Sequence, residues 1–515
     1  MNAIAHNVIK NTGWLYAKMG ITMFISLWVT RLILQSLGAS DFGIYSIVGG
    51  AVAMLGFFNA ALSTATVRFM AYAEGQSDQK RKITIFNVST ALHLGIAAMM
   101  VVVLFAAAFA FFNGILNIPA DRMNASYVVY GSLVSGVFFN ICRVPYDAVI
   151  NSHEHMKFYA ILGIVESLLK LLVAFACVYT SKDKLVVYGV LMAIIPMVSY
   201  FASRGFCKRQ YSECVFKPRA YWNMKDMREM LSFASWNLSI SVTSMISSYG
   251  TGIVLNHFFG TLLNAAYGIA QQLNGQLMTF SSNMLKAVVP VITKSEGSGQ
   301  RAAMLNRSTI ACKYSYLILA IFAIPFILEA DFILNIWLKD VPEWAVLFSR
   351  LNLIQSLILQ LTVAYMASLH AEGNISLFSK VRSVFHLATI VLLILSFMAG
   401  ASPYVLYIVT IGWNGIIGAC ILLYFIHHNC GMAYGMFVRS LLLPVLGVTL
   451  CCLFTGVIPI LLMEDSLLRL LLTTCSSITG FLLGFWLLAT SAEERVFIKT
   501  LIKRFIGSIT NKIRL

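Results

Sequence analysis

Charge is scarce in this chain. Only 11% of its 515 residues are Asp, Glu, Lys or Arg, against about 25% in an ordinary soluble domain. A surface so poor in charge excludes a soluble enzyme, and the apolar excess excludes a disordered protein. One membrane anchor cannot account for the deficit, because an anchor uses about 20 residues. Acids are scarcer than bases, 21 against 37, for a net charge of +16. The 10 cysteines show no CxxC and no paired spacing. Most, such as Cys142, Cys177, Cys451 and Cys452, sit inside apolar runs, which excludes a disulfide scaffold and leaves small packing residues. No GxxxxGK[ST] run exists to cradle ATP phosphates. The HEH at 153–155 and the HH at 427–428 stand alone, so neither a metal nor a cofactor is expected.

What is present is apolar residues, 59% of the chain, in continuous runs. IAAMMVVVLFAAAFAFF (96–112) has no polar member. A β-barrel strand would alternate; uninterrupted runs of about 20 residues form spanning helices. Fourteen are expected, at 12–36, 44–72, 84–112, 125–151, 158–180, 185–203, 231–256, 264–290, 309–334, 345–369, 376–399, 404–426, 438–462 and 470–490. The fold class is therefore an all-α polytopic membrane protein. The first run continues past any small-residue cleavage site, so it reads as a span and not as a removed signal peptide.

Lys and Arg give the orientation. With the N-terminus inside, 24 of them fall on inner segments and five on outer loops (Arg122, Lys182, Lys184, Lys339 and Arg469). This bias predicts N-in and C-in, hence an even number of spans. It accounts for most of the basic excess without a nucleic-acid partner. The connector 206–230 mixes aromatics with Lys and Arg. It suits an interfacial segment held by anionic lipid headgroups or a docking site for another protein. The tail 491–515 has apolar residues at helical spacing between basic ones, the pattern of an amphipathic helix on the inner surface.

The chain also resembles itself at a shift of 222 residues. Trp14 falls on Trp236, Gly38 on Gly260, Tyr45 on Tyr267, Phe58 on Phe280 and Val67 on Val289. The shift equals six expected spans. Six is even, so the copies enter the membrane in the same direction, as parallel repeats about an axis along the membrane normal. The expected plan is a six-helix bundle over 1–205, the connector 206–230, a second bundle over 231–430, two accessory helices over 431–490 and the tail.

Eight cations remain within spans: Lys18, Arg31, Arg68, Arg143, Lys170, Lys286, Lys313 and Arg350. Each costs at least about 2.5–3.5 kcal/mol on insertion scales without a partner or a wet cavity. All eight fall in spans 1–10, and the four later spans are expected to be free of charge. Two pairs stand at i,i+4 spacing, Arg143–Asp147 and Glu166–Lys170; they read as structural ion pairs or as coupling groups. Arg31, Arg68 and Lys286 have no acid on their own helix, and Lys18 lies about two turns into span 1. An acid-poor, cation-lined chamber suits an anion, with phosphate or pyrophosphate the obvious class. Span 8 carries Gln271, Gln272, Asn274 and Gln276, which suit interhelical hydrogen bonding or the polar wall of a sugar-tolerant cavity.

VTRLILQSLGASDFGIYSIV (29–48) and ALSTATVRFMA (61–71) resemble signatures of the bacterial polysaccharide and O-antigen flippases. These belong to the multidrug/oligosaccharidyl-lipid/polysaccharide exporter superfamily. The resemblance implies a lipid-linked oligosaccharide on undecaprenyl pyrophosphate, with its head group in a central cationic cavity and its tail in the bilayer. It also implies a bacterial inner membrane, membrane lipids around the chain and other polysaccharide-assembly proteins as partners. By that resemblance Arg31 and Arg68 are the first candidates for binding substrate; Lys18 and Lys286 follow from charge placement alone. A cation-coupled multidrug exporter is the alternative, disfavoured by the lack of carboxylates in spans 1, 2, 7 and 8. A membrane enzyme of glycan assembly is a third reading, disfavoured because no large outer loop could house its site.

Overall fold

A computed structural model of the chain describes residues 2–53, 56–112, 118–338, 341–490 and 494–496. All regular elements among them are helical. In chain order the long helices are α1 Asn7–Gly38, α2 Gly56–Gly75, α3 Gln79–Phe109, α4 Ala120–Ser152, α5 Met156–Tyr179, α6 Lys184–Gln210 and α7 Met224–Gly260. Then follow α8 over 261–297, α9 Arg301–Leu328, α10 Ala345–Glu372, α11 Ser376–Met398, α12 Val405–Cys430, α13 Tyr434–Leu462 and α14 Leu467–Ala489. Side chains that accept from free backbone N–H groups start several of them. Asp78 caps α3, Asp183 caps α6, Asn223 caps α7 and Ser466 caps α14, each satisfying a first-turn donor.

Twelve helices among the described residues are long and apolar enough to cross a membrane, two fewer than the fourteen expected. The two outside that number are α2 and α8. Both are helical, but α2 carries Asn59, Ser63, Thr64, Thr66 and Arg68, and α8 carries Gln271, Gln272, Asn274, Gln276 and Lys286.

The repeat shows directly in the backbone. The helix that begins the chain breaks at Gly38 (φ 74°, ψ 171°) and continues over 39–53; the seventh breaks at Gly260 (φ 81°, ψ −175°) and continues as α8. The two glycines are 222 residues apart. An L side chain is disfavoured at such φ values, which is why a glycine recurs at this register. Helix α3 starts at Gln79 and α9 at Arg301, again 222 apart.

The same register governs how the halves meet. A Cβ on Gly75 would overlap the backbone carbonyl of Lys294, and a Cβ on Gly297 would overlap that of Tyr72. Residues 72 and 294, like 75 and 297, are equivalents, so α2 and α8 cross as a symmetric pair with their backbones in contact. The largest apolar core lies around this crossing and draws on both halves, from Phe69, Phe86 and Tyr146 to Phe233, Met284 and Tyr365. Two other cores stay within one half: Ile33 to Ile195 in the first and Val254 to Tyr407 in the second. The halves are thus joined at the face that carries the 211–223 connector, called here the connector face, and keep separate cores toward the opposite face. Helices α13 and α14 pack on α9 through a fourth core that includes Tyr316, Val448 and Phe481.

The crossing predicts that Gly75→Leu or Gly297→Leu costs at least about 1–3 kcal/mol, as overpacking against backbone does. Gly268, with nothing within 4 Å of its would-be Cβ, serves as the control. Thermal unfolding of the purified protein should fall by several degrees for the first two variants and hold for Gly268→Leu. Equal midpoints for all three would remove the crossing as a packing constraint.

Candidate functional site

Two of the expected cations converge on one aromatic ring. Lys18 on α1 sits over the Tyr159 ring with its Nζ 4.4 Å from the centroid. Lys286 on α8 sits 5.3 Å from the same centroid and donates to the Tyr159 hydroxyl at 3.3 Å. The ring's negative face attracts both ammonium groups. Neither makes an ion pair among the described residues. Gly163, one turn beyond Tyr159 on α5, leaves the space that the Lys18 side chain fills. The Tyr16 hydroxyl donates to the Phe280 carbonyl at 3.0 Å, and the Asn283 amide donates to Met19 Sδ at 3.2 Å. These contacts fix α1 against α8, so the cluster lies where the first half meets the second. Lys286 is exposed and Lys18 half-buried. The arrangement offers two positive charges, on separate helices, to an anion.

Behind it lies a network of three charges. Arg143 donates to Asp147 at 2.9 Å and to Glu166 at 2.6 Å. The expected Glu166–Lys170 pair is therefore not made. Arg143 reaches Glu166 from the neighbouring helix, and Lys170 is exposed. A branched guanidinium can serve two carboxylates at once, which an ammonium on a surface-facing turn does not match.

The other cations are held in different ways. Arg68 does not join the Lys18–Lys286 cluster. Its Nε donates to the His370 carbonyl at 2.8 Å and its Nη2 to the Ala371 carbonyl at 3.1 Å, while its plane lies over Phe69 and Phe233. It thus caps the end of α10 and ties α2 to the second half. Lys313 pairs with Glu494 at 2.8 Å, and Arg350 pairs with Asp331 at 2.7 Å. Arg31 is exposed and makes no ion pair among the described residues. One expectation fails outright: the later helices are not free of charge. Arg382 lies in α11 with its guanidinium against Gly418 of α12. Its place near the start of α11 does not show this along the chain; the packing against α12 does.

The four amides of α8 divide by face. Gln271 donates to the Tyr267 hydroxyl at 2.6 Å and accepts from Asn352 at 3.1 Å. Asn274 accepts from Ser356 at 2.7 Å. These two bind α8 to α10. Gln272 and Gln276 point away from that contact and are exposed.

At the connector face the sequence signal was missed. His153 Nε2 lies 2.5 Å from Glu213 of the connector, its Nδ1 lies 3.5 Å from Glu74 at the end of α2, and Lys82 bonds Glu74 at 2.8 Å. Glu74, His153 and Glu213 bring their ligand atoms within 4.8 Å of one another. The imidazole meets each carboxylate with a different nitrogen, as in a hydrogen-bonded bridge. The Asn87 amide donates to the Val215 carbonyl, and its oxygen accepts from the Lys217 N–H, at 2.8 and 2.7 Å. The connector is thereby pinned to α3 and α4. The tail 491–515 lies outside the described residues except for 494–496.

Comparison with known proteins agrees with this architecture. The profile of a family described as polysaccharide biosynthesis protein matches residues 8–296. The chain is 20% identical over 311 residues to the uncharacterized membrane protein EpsK of Bacillus subtilis (strain 168), covering 58% of this chain; it spans 59% of that relative's length. Among solved structures, an outward-facing multidrug resistance MATE family transporter of the MOP superfamily superposes with a TM-score of 0.64 at 11% identity, over 93% of this chain and 94% of the other. A MOP superfamily transporter from Pyrococcus furiosus gives 0.58 at 12% identity, over 92% and 94%. The MATE transporter ClbM gives 0.62 at 13%, over 96% and 97%. At such identities the likeness concerns the fold.

Two predictions follow from these contacts. Arg68→Ala leaves two carbonyls and the end of α10 without their donor, at a cost of about 2–3 kcal/mol; Arg68→Lys, lacking the fork, should not restore the unfolding midpoint. Full rescue by Lys would show that charge alone matters there. The second concerns Glu213. Burial would raise its carboxyl, but the hydrogen bonds from His153 and from its own backbone, with the His153 and Lys82 charges, hold it at about 2, below the usual 4.5. A depressed acid stabilises the fold above its unfolded value and loses that contribution as pH falls through its folded value. Glu213→Gln should therefore lower stability by about 1–3 kcal/mol near pH 7 and match the wild type near pH 2. A deficit that does not shrink with acid would point to packing instead of charge.

Proposed function

The chain belongs to the polysaccharide biosynthesis protein family, and from that premise we propose that it flips lipid-linked oligosaccharides, carried on undecaprenyl pyrophosphate, across a bacterial inner membrane. The observation that carries the reading is the Lys18–Tyr159–Lys286 cluster. Two ammonium groups without an ion pair among the described residues, from α1 and α8, match a diphosphate with several negative charges. The exposed Gln272 and Gln276 on α8 suit the hydroxyls of a sugar, and Arg31 adds a third cation nearer the opposite face. In this reading the two bundles are 1–205 and 231–430, with 431–490 accessory, and the connector face is cytoplasmic, N-in and C-in. The separate cores toward the opposite face then correspond to an outward-open state. The head group leaves there, and the halves rock about the cluster to reopen at the connector face. Breaking the α2–α8 crossing and the Arg68 cap would be the price of that second state.

A cation-coupled multidrug exporter is the competing reading, since the fold is shared with such transporters. Against it, Asp147 and Glu166 are both paired with Arg143, so neither acid is an isolated charge for an organic cation, although Asp147 Oδ1 has no hydrogen-bond partner.

The test uses proteoliposomes with a fluorescent undecaprenyl pyrophosphate oligosaccharide. The double variant Lys18→Ala/Lys286→Ala should lose at least about tenfold in flipping rate, the weight of one charge-assisted contact or more, at unchanged abundance and unfolding midpoint. Wild-type flipping by that variant would dismiss the cluster. Uptake of a cationic dye driven by a Na⁺ or H⁺ gradient, with no flipping, would dismiss the substrate class.

A further inference from the structure

The second half contains a polar pocket that the cluster above does not use. It lies between α7, α8, α10, α11 and α12, holds about 200 Å³ and is lined by Arg382, His386, Gln355, Tyr407, Thr410 and Asn414 among others. None of its lining residues is Asp or Glu. Its α8 member Gln271 lies 15 residues before Lys286, about 22 Å along the helix.

Arg382 is the anomaly of this pocket. It makes no hydrogen bond or ion pair among the described residues. Nor does it escape to the connector face. Its Nη1 lies against Gly418, and Gly418 is 12 residues before the connector-face end of α12 at Cys430, about 18 Å along the axis. A guanidinium at that depth, without a carboxylate, is costly unless something else carries the negative charge. Three further features surround it. The Tyr407 hydroxyl is buried with no hydrogen-bond partner. The Thr410 hydroxyl donates to the Gln355 oxygen at 3.1 Å, which leaves the Gln355 amide N–H groups free to donate. Over Thr410–Ile417, α12 widens into π-helical turns, a distortion that recurs at binding sites.

We propose that this pocket binds one small inorganic anion of the chloride class, held by the Arg382 guanidinium and by neutral donors from Tyr407 and Gln355. Neutral donors around one cation suit a weakly basic monovalent ion. The volume equals several waters at about 30 Å³ each, enough for a partly hydrated ion and too little for a sugar on pyrophosphate. The site lies within one half, so it stands whether or not the chain flips lipid-linked sugars. Bound there, the ion would neutralise the second half during its movement against the first.

Equilibrium binding of ³⁶Cl⁻ to the purified full-length protein in nanodiscs tests this. One saturable site per chain is expected. Arg382→Gln should weaken it by more than about tenfold and Tyr407→Phe by several-fold, while Lys286→Ala leaves it unchanged. No saturable binding would overturn the proposal, as would wild-type affinity in both pocket variants. Should Arg382→Gln fail to fold, Tyr407→Phe and Lys286→Ala decide: loss only with the latter assigns the ion to the lysine cluster. Competition separates the anion classes. Bromide and nitrate should displace ³⁶Cl⁻ at matching concentrations. Displacement by lower concentrations of inorganic phosphate would make the site a phosphoryl site and overturn the chloride assignment.

Discussion

A cation that enters an apolar slab must find something to neutralise it or to accept its hydrogen bonds, and this chain supplies few carboxylates for the task. Most of its internal organisation can be derived from how each buried Lys or Arg meets that demand. Arg143 takes two acids at once. Lys313 and Arg350 take one each, and Arg469 takes the fully buried Glu329 at 2.8 Å, joining α14 to α9. Arg68 uses carbonyls and aromatic faces. Among the described residues, what remains after these pairings includes Lys18 and Lys286 on Tyr159, Arg382 in its pocket, and exposed Arg31 and Lys170. The proposed binding groups come from that remainder, because a cation that the protein leaves uncompensated is available to a ligand.

The cations held by the protein itself tie the halves together at one end. Arg68 caps α10 from α2, and Lys294 on α8 pairs with Glu154 after α4 at 2.8 Å. The Gly75–Gly297 crossing lies between these ties, and the shared core around it contains Phe69 against Phe233 at 6.1 Å in an edge-to-face contact. Toward the opposite face the described residues form separate cores, one in each half. An interface made of one crossing and a few charged ties, and not of a core running the full depth, is one that can part and re-form. Alternating access needs that property of a two-half transporter.

The sequence carried the fold class well and the site less well. Long apolar runs can only be spanning helices once alternation is absent, and the 222-residue shift stood out because Gly38 and Gly260 are backbone requirements and so resist drift. Twelve of the fourteen expected spans meet the length and hydropathy of a membrane crossing among the described residues; α2 and α8 are helical but do not. Lys18 and Lys286 were identifiable as cations without a local acid, but nothing along the chain says that Tyr159 lies between them. The Glu166–Lys170 pair failed for the complementary reason: i,i+4 spacing permits a contact on one helix, and Arg143 on the next helix offered a better one.

Composition and periodicity thus determined that this chain lives in a membrane and that it is built of helices with a 222-residue repeat. Those properties follow from local rules, since each span must satisfy its own backbone and each unpaired charge counts wherever it is. Tertiary structure alone decided which cations are spent and which are free. Arg68 became a cap and Arg382 an inward-pointing group only through residues 302 and 36 positions away, His370 at the end of α10 and Gly418 in α12. Electrostatic partnership inside a low-dielectric slab is set by distance in space, and a single sequence records distance only along the chain.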